Sequence, residues 1–393
     1  MRIIYITRTY ALDENPSNCS GFRNYTVSLL RKRYEVVVVT PNYGETETIR
    51  KSEMVAVPYT FRRHDMWLER IGLYDDYLQR WTDATYKVLE NEIRPDDLIM
   101  AVSGGEMACI MLASRLKDKC GCKVIVNFHD PVDATNIKGK QTAIKIHVPR
   151  DQKLGKYLKS ANGIITCNEM YRDILIHRYR ETLPCIHYSI HPCIHNVYMG
   201  FRGEPEIINR KNKHEIVHIV YAGTMSPTQG AERFIDLFGD RRDIELIFVG
   251  NCSDAVKEVA RTNNNIKTVA ALPHNKYIEY IKDTADVGLV ALNGEEYGVC
   301  VPSKLFELIN LEIPIFGILP DGDAKTMINN GYGYACEGND KAEANRLLDK
   351  LLTDEEYDSI RDKMRADKND WQMDKLFEKV YRIIDEVVDA NNQ

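Results

Sequence analysis

The chain has 393 residues, 44% of them apolar and 28% charged, and a formal net charge of −6. That length is too great for one ordinary core and suits two domains of roughly 200 residues each. The acidic balance argues against a nucleic-acid binder, and no apolar run approaches the roughly 20 residues of a membrane span.

Ten cysteines are scattered without a Cys-x-x-Cys pair, most of them in apolar runs, as reduced core thiols are. Met1-Arg-Ile-Ile-Tyr-Ile-Thr meets Arg8 too soon for the apolar core of a signal peptide, so a cytoplasmic location is expected. In chain order, Ile3–Thr7 reads as a buried strand. A loop with Asn15, Pro16, Ser17 and Ser20 follows, and Gly21 opens a helix with Phe22, Tyr25, Leu29 and Leu30 on one stripe. Val36–Val39 is the next strand, stopped by Pro41-Asn42. A long helix is expected near 75–92, strands at 98–102 and 123–127 with a helix between, and a last strand and helix near 163–166 and 168–180. Asp75-Asp76 and Asp96-Asp97 read as surface charge. Residues 195–214, polar and aperiodic, read as a linker.

A second train then begins. Strands are expected at 216–221, 244–249, 286–292 and 313–319, with helices near 229–238, 254–263, 274–284 and 302–311. Strand–helix alternation at this spacing predicts an α/β chain with two parallel sheets, each covered by helices on both faces. Ligands of such sheets bind outside the carboxyl ends of the strands.

Three strand-to-helix turns can carry anion chemistry, because helix N-termini present unpaired N–H groups. They are the loop ending at Ser20-Gly21, the stretch Tyr221–Gly230, and "VCVPSKLFELI" at 299–309. In the last, Pro302 suits a first helical position, and Lys304 falls in the first turn, where the macrodipole disfavours a cation. A lysine there is costly alone and useful beside an anion. Ser303 and Lys304 with the helix amides suit a diphosphate. Glu307, one turn on, suits a ribose diol, because a carboxylate accepts two hydroxyl bonds. The alternative is a surface lysine paired with Glu307 and worth a few tenths of a kcal/mol.

Eight stretches in order, from Met1 to the end, resemble bacterial family 4 retaining glycosyltransferases of the GT-B fold, within glycosyltransferase group 1. "MRIIYITRTY" with Ser20-Gly21 resembles the family's first strand and glycine loop, "VNFHDP" its His-Asp strand end, and "SANGIITCNE" its "ADGIITVSE" element. "YAGTMSPTQG" resembles its "GT…KG" loop, while "IELIFVGN" and "TADVGLVAL" resemble its next strands. "VPSKLFELINLEIP" resembles its "PSKLFEYLAAGKP" helix, and "DWQMDKLFEKVYRII" its closing Trp-containing helix.

The resemblance implies two Rossmann-like doubly wound domains facing across a cleft. Residues 1–200 would form the acceptor-side domain, 201–365 the nucleotide-sugar domain, and 366–393 a helix returning to the first. It implies transfer of a sugar, with retention, from a UDP- or GDP-linked donor to a glycan or lipid-linked hydroxyl in surface polysaccharide assembly. No cofactor and no metal are expected. His129 matches the histidine near the donor sugar, and Gly21 the loop glycine that lets backbone approach the phosphates. Gly223 and Thr224 match the second-domain phosphate loop, and Ser303, Lys304 and Glu307 the diphosphate and ribose contacts.

The chain departs from the family where Thr224 and Gln229 replace Arg and Lys, and where the first glutamate of Glu-x7-Glu falls at Val299. Glu295, Glu296, or the backbone of Tyr297-Gly298 would contact the sugar instead, with Glu296 the catalytic candidate beside His129. Asp321-Gly-Asp323 reads as a turn and helix cap rather than a metal pair. Residues 138–159 hold seven basic side chains against Asp151 and interleave them with apolar ones, a candidate contact with an anionic membrane. Phe61–Trp67 is a second such candidate. Two rivals stand beside the transferase: a sugar-nucleotide epimerase on the same fold, and a non-catalytic sugar- or partner-binding relative.

Overall fold

A computed structural model describes residues 1–11, 18–132, 150–183, 193–209 and 212–389. They divide into two compact units: Met1–Met199 with Leu376–Gln393, and Gly200–Lys375.

The first unit carries strands β1 (Arg2–Thr7), β2 (Glu35–Tyr43), β3 (Ile49–Lys51), β4 (Met54–Tyr59), β5 (Leu98–Gly104), β6 (Lys123–Asp130), β7 (Gly163–Thr166) and β8 (Ile194–Asn196). Their order is β3-β4-β2-β1-β5-β6-β7-β8, parallel except for the β3–β4 pair. Central strands are covered on both faces, so β1 and β5 are near-continuous apolar runs; Ile3, Tyr5, Ile6, Ile99, Met100 and Ala101 are fully buried. β2 runs past its expected stop, through Pro41 to Tyr43. The N–H of Val38 donates toward β4, so the nitrogen of Pro41 faces the β1 side, where pairing has already ended at Ile6–Val39. The missing donor therefore removes no ladder bond.

Two further expectations fail here. Asp76 and Asp97 are buried rather than surface charge. Asp76 accepts the N–H groups of Leu78 (2.8 Å) and Met107 (2.7 Å), while Asp97 accepts from Arg2 Nε (2.8 Å) and the N–H of Arg94 (2.7 Å). These bonds replace the water that burial removes. The helix Asn18–Leu30 begins before Gly21, which therefore sits inside its first turn.

The second unit carries β9 (Val217–Ala222), β10 (Ile244–Val249), β11 (Ile266–Val269), β12 (Val287–Ala291), β13 (Ile315–Ile318) and β14 (Gly333–Cys336). All are parallel, in the order β11-β10-β9-β12-β13-β14, so the winding reverses between β9 and β12. Within the expected linker at 195–214, Phe201 is tied into backbone pairing. Phe201 N–H donates to Trp371 O (3.0 Å) and Met373 N–H to Phe201 O (2.8 Å), a one-residue parallel bridge. From Leu376 onward the helix Met373–Asp389 belongs to the first unit, with Phe377, Tyr381, Ile383 and Ile384 buried. There Tyr381 OH donates to Leu29 O (2.6 Å), and Lys123 Nζ caps the helix end at Val387 O (2.8 Å).

Candidate functional site

The reversal between β9 and β12 is the place where an open parallel sheet takes a ligand. Gly223 ends β9 with φ +137° and donates its N–H to Val249 O (2.8 Å). Gly250, after β10, has φ +124°, and a Cβ there would lie 2.4 Å from Gly223 O. The two glycines let the loops after β9 and β10 touch. Asn293, after β12, fastens the same loop from the other side: its N–H donates to Thr228 O (2.8 Å) and its Nδ2 to Pro227 O (3.1 Å).

The helix Ser303–Asn310 rests on β12 because Gly288 leaves room for Leu308; a Cβ on Gly288 would lie 2.4 Å from Leu308 Cδ2. Pro302 is the N-cap rather than the first helical residue, and among the described residues no side-chain cap bonds the helix amides. Leu305, Phe306, Leu308 and Ile309 are buried, which puts half-buried Lys304 and Glu307 on the remaining face. Lys304 Nζ lies 4.0 Å above the centroid of the Tyr221 ring and 3.3 Å from where a Gly223 Cβ would be. Among the described residues it has no hydrogen bond and no ion pair. Burial lowers its pKa to about 8, against the upward pull of Glu307. Glu307 accepts from Tyr277 OH (3.3 Å), and burial pushes its carboxyl up despite the charge of Arg202.

Glu296, Tyr297 and Gly298 occupy one 3-10 turn, Glu295–Val299, after β12. The Glu296 carboxylate folds back on Gly294, where a Cβ would lie 2.9 Å from its Cδ. Tyr297 is buried, and its hydroxyl has no hydrogen-bond partner among the described residues. Thr224 is exposed and contributes its carbonyl, which accepts from Tyr221 OH (3.2 Å). Asp321 pairs with Lys325 (2.8 Å), and Asp323 begins the helix Asp323–Met327. The structure thus gathers Gly223, Lys304 and Glu307 with Tyr221, the first residue of the expected anion loop, and with Tyr277, which sequence reading missed.

In the first unit, His129 is the penultimate residue of β6 and is buried. Its Nδ1 lies 2.7 Å from Arg23 Nη1. A guanidinium only donates, so Nδ1 accepts and the ring is neutral, with its proton on Nε2. Burial and the Arg23 charge hold its pKa well below 6.5. Arg23 Nε donates to Thr7 Oγ1 (2.9 Å). Nearby Glu106 is 1% exposed; its Oε1 accepts from Gly104 N–H (3.1 Å), and its Oε2 lies 3.3 Å from Arg8 Nε. Arg8, Arg23, Gly104 and Glu106 were not singled out from sequence. They come together because β1 and β5 are neighbours. Of the basic segment, 138–149 lies outside the described residues. In the part that is described, Lys153 donates to Tyr74 O (3.0 Å), and Lys156 reaches Asp75 Oδ2 (3.5 Å).

Several solved structures share this architecture. The chain matches the sucrose-phosphate synthase of Thermosynechococcus elongatus with TM-score 0.70 at 12% identity, over 99% of each chain. It matches Anabaena HepE in complex with UDP-glucose with TM-score 0.66 at 11% identity, over 98% of this chain and 100% of that one. For the lipopolysaccharide outer core galactosyltransferase WaaB, in its apo form, the TM-score is 0.65 at 10% identity over 100% of both. Likeness at such identities defines the fold, which is GT-B. Residues 204–369, nearly the whole second unit, match the family "Glycosyl transferases group 1". No curated protein matches the chain.

Proposed function

We propose that the protein is a retaining glycosyltransferase of the family 4 type. It would move a sugar from a UDP- or GDP-linked donor to a hydroxyl of a glycan or lipid-linked acceptor in surface polysaccharide assembly at the cytoplasmic face of the membrane. The observation that carries this reading is Lys304: an ammonium without a carboxylate partner, stacked on Tyr221 and facing Gly223 at the end of β9. An anion placed there would satisfy the lysine and the uncapped amides of its helix together.

The second unit would hold the donor. Gly223, Thr224, Ser303 and Lys304 take the diphosphate, and Glu307, steadied by Tyr277, takes the ribose hydroxyls. Glu296 and the Tyr297–Gly298 turn face the sugar, and the unpartnered Tyr297 hydroxyl supplies a bond there. In transfer, the bond between the anomeric carbon and the diphosphate oxygen breaks and its electron pair stays on the phosphate, where Lys304 neutralises it. The acceptor oxygen bonds the same carbon from the same face, and its proton passes to the departing phosphate. Gly21 would let backbone approach the donor phosphates and the acceptor, and His129 would help place the donor sugar; the neutral ring of His129 positions and polarises but does not titrate near neutral pH.

Phe61 and Trp67 are half exposed beside Arg62 and Arg63, which supports a membrane contact for a lipid-linked acceptor. Melting with UDP, GDP, ADP and CMP tests the donor site. One nucleoside diphosphate should raise the midpoint in the wild type and not in Lys304→Ala, and a labelled sugar donor of that base should then be turned over. No shift with any nucleotide would defeat the reading.

A further inference from the structure

Arg23 is 4% exposed, and no carboxylate reaches it within ion-pair distance among the described residues. Its two hydrogen-bonded partners are the Thr7 hydroxyl and the His129 ring, which the guanidinium itself keeps neutral. They fix the guanidinium in place without cancelling its charge. A structural arginine at this depth ordinarily sits on a carboxylate.

Arg23 also stands close to a second cation. Arg23 Nη2, Glu106 Oε2 and Arg8 Nη2 lie 2.9, 3.5 and 3.7 Å from the point that a Cβ on Gly104 would occupy. Two guanidiniums therefore converge on one carboxylate, and Glu106 already serves Arg8 and the N–H of Gly104. Arg8 is aimed as well: its Nη1 donates to Tyr77 OH (2.7 Å), and its carbonyl accepts from Tyr43 OH (3.1 Å). Asp130, next along β6, is exposed and makes no ion pair with either arginine among the described residues; both guanidiniums act on its carboxyl only from further off, against burial and the charge of Glu106. The cluster lies at the carboxyl ends of β1, β5 and β6, the ligand edge of this sheet.

We propose that Arg23 and Arg8 form an anion site that binds a phosphate or carboxylate carried by the acceptor. The acceptor of this transferase is therefore a charged molecule rather than a neutral glycan end. The anion would bridge the two guanidiniums directly, with Arg23 offering its Nη2 edge, which makes no hydrogen bond among the described residues, and Arg8 its half-buried head. The words "of the acceptor" rest on the transferase reading; the anion site does not. A phosphate of the donor has the same chemistry, so the experiment separates the two.

Melting of the full chain is measured in inorganic phosphate, in malonate, and in chloride at matched ionic strength, each with and without UDP or whichever nucleoside diphosphate binds. Four proteins are compared: wild type, Lys304→Ala, Arg23→Gln and Arg8→Gln. At about ten times its dissociation constant, phosphate or malonate should raise the midpoint by about 3–6 °C. Lys304→Ala should keep that rise and lose the nucleotide's. Arg23→Gln and Arg8→Gln should lose the rise and keep the nucleotide's. Arg8→Gln alters a half-buried head and leaves the core intact, so it decides the matter if Arg23→Gln does not fold. A response to phosphate that disappears with Lys304→Ala alone would place the anion at the donor loop and overturn the proposal. So would a wild type that ignores both anions while still binding nucleotide. Loss of the nucleotide response with the anion response intact would instead sink the donor reading and leave this site standing.

Discussion

Replacing Lys304 by methionine should stabilise the free protein while destroying its nucleotide site. The lysine pKa falls from 10.5 to about 8 on folding. At about 1.4 kcal/mol per unit, its charged form costs the fold about 3 kcal/mol at neutral pH. The cation–π contact with Tyr221 and the solvent still reaching a half-buried head offset about half of that. Methionine keeps the length of the stem and removes the charge, so the net gain should be about 1–2 kcal/mol, or about 3–6 °C in calorimetry.

The sign with pH is also determined. The unfolded lysine holds its proton up to its ordinary value, and the folded one releases it from about 8. Between those values the unfolded state binds more protons, so wild-type stability rises with pH there and the advantage of the variant shrinks. At about pH 9.5 the advantage should have fallen to less than half. Nucleoside diphosphate affinity should fall about 10- to 100-fold at neutral pH, the worth of a charge-assisted bond. A variant that melts below wild type at neutral pH, or an advantage that does not change with pH, would refute the reasoning that Lys304 is an ammonium held without an anion.

Other perturbations are as direct. Glu307→Gln should weaken nucleoside diphosphate binding about 5- to 30-fold and leave inorganic pyrophosphate unaffected, measured by calorimetric titration; equal losses for both ligands would remove the ribose role. Gly250→Ala forces a Cβ to 2.4 Å from Gly223 O at φ +124°, so it should cost about 2–4 kcal/mol in urea unfolding and blunt the nucleotide response. Glu312 is 2% exposed and bonded to Lys368 (2.8 Å) and Arg365 (2.6 Å). Burial alone would raise its pKa, but those two bonds hold it below the ordinary glutamate value. Its stabilisation is complete above the unfolded pKa and is lost as pH falls through the folded one. Glu312→Gln should therefore cost about 3–5 kcal/mol near neutral pH and flatten the acid limb of the stability curve. Trp67→Ser should lower partition onto anionic vesicles about tenfold in cosedimentation; unchanged partition would remove the membrane contact.

Which parts of this structure can be read from sequence follows from where their causes lie. β1, β5 and β12 were legible because strands covered on both faces are apolar at every position. β3, β11 and β14 were not, because they run for only three or four residues at or beside a sheet edge, and the first two carry exposed polar residues such as Arg50, Lys51, Lys267 and Thr268. Asp76 and Asp97 looked like surface charge because the amides and the guanidinium that justify their burial are supplied by chain folding over them. That the loop after β9 meets the helix Ser303–Asn310 was legible through Gly223 and Lys304, two residue types that are odd where they stand. The Arg8–Arg23–Glu106 cluster was not, since each residue is ordinary in its own segment and only the adjacency of β1 and β5 joins them.

The bridge between Phe201 and Gln372 bears on how this polypeptide could be cut and rejoined. The two ends of the second unit leave it side by side, as they do in a domain inserted into a loop of its host. Residues 200–375 are therefore a natural candidate for separate expression, with adjacent ends that also invite circular permutation. The first unit is in the opposite position. The helix that completes it follows the second unit along the chain, so residues 1–199 must wait, with the surface that Phe377, Tyr381 and Ile384 will cover still open, until residues 376–389 have been made. Chains truncated after residue 375 should hold a protease-resistant second unit beside an unfinished first one.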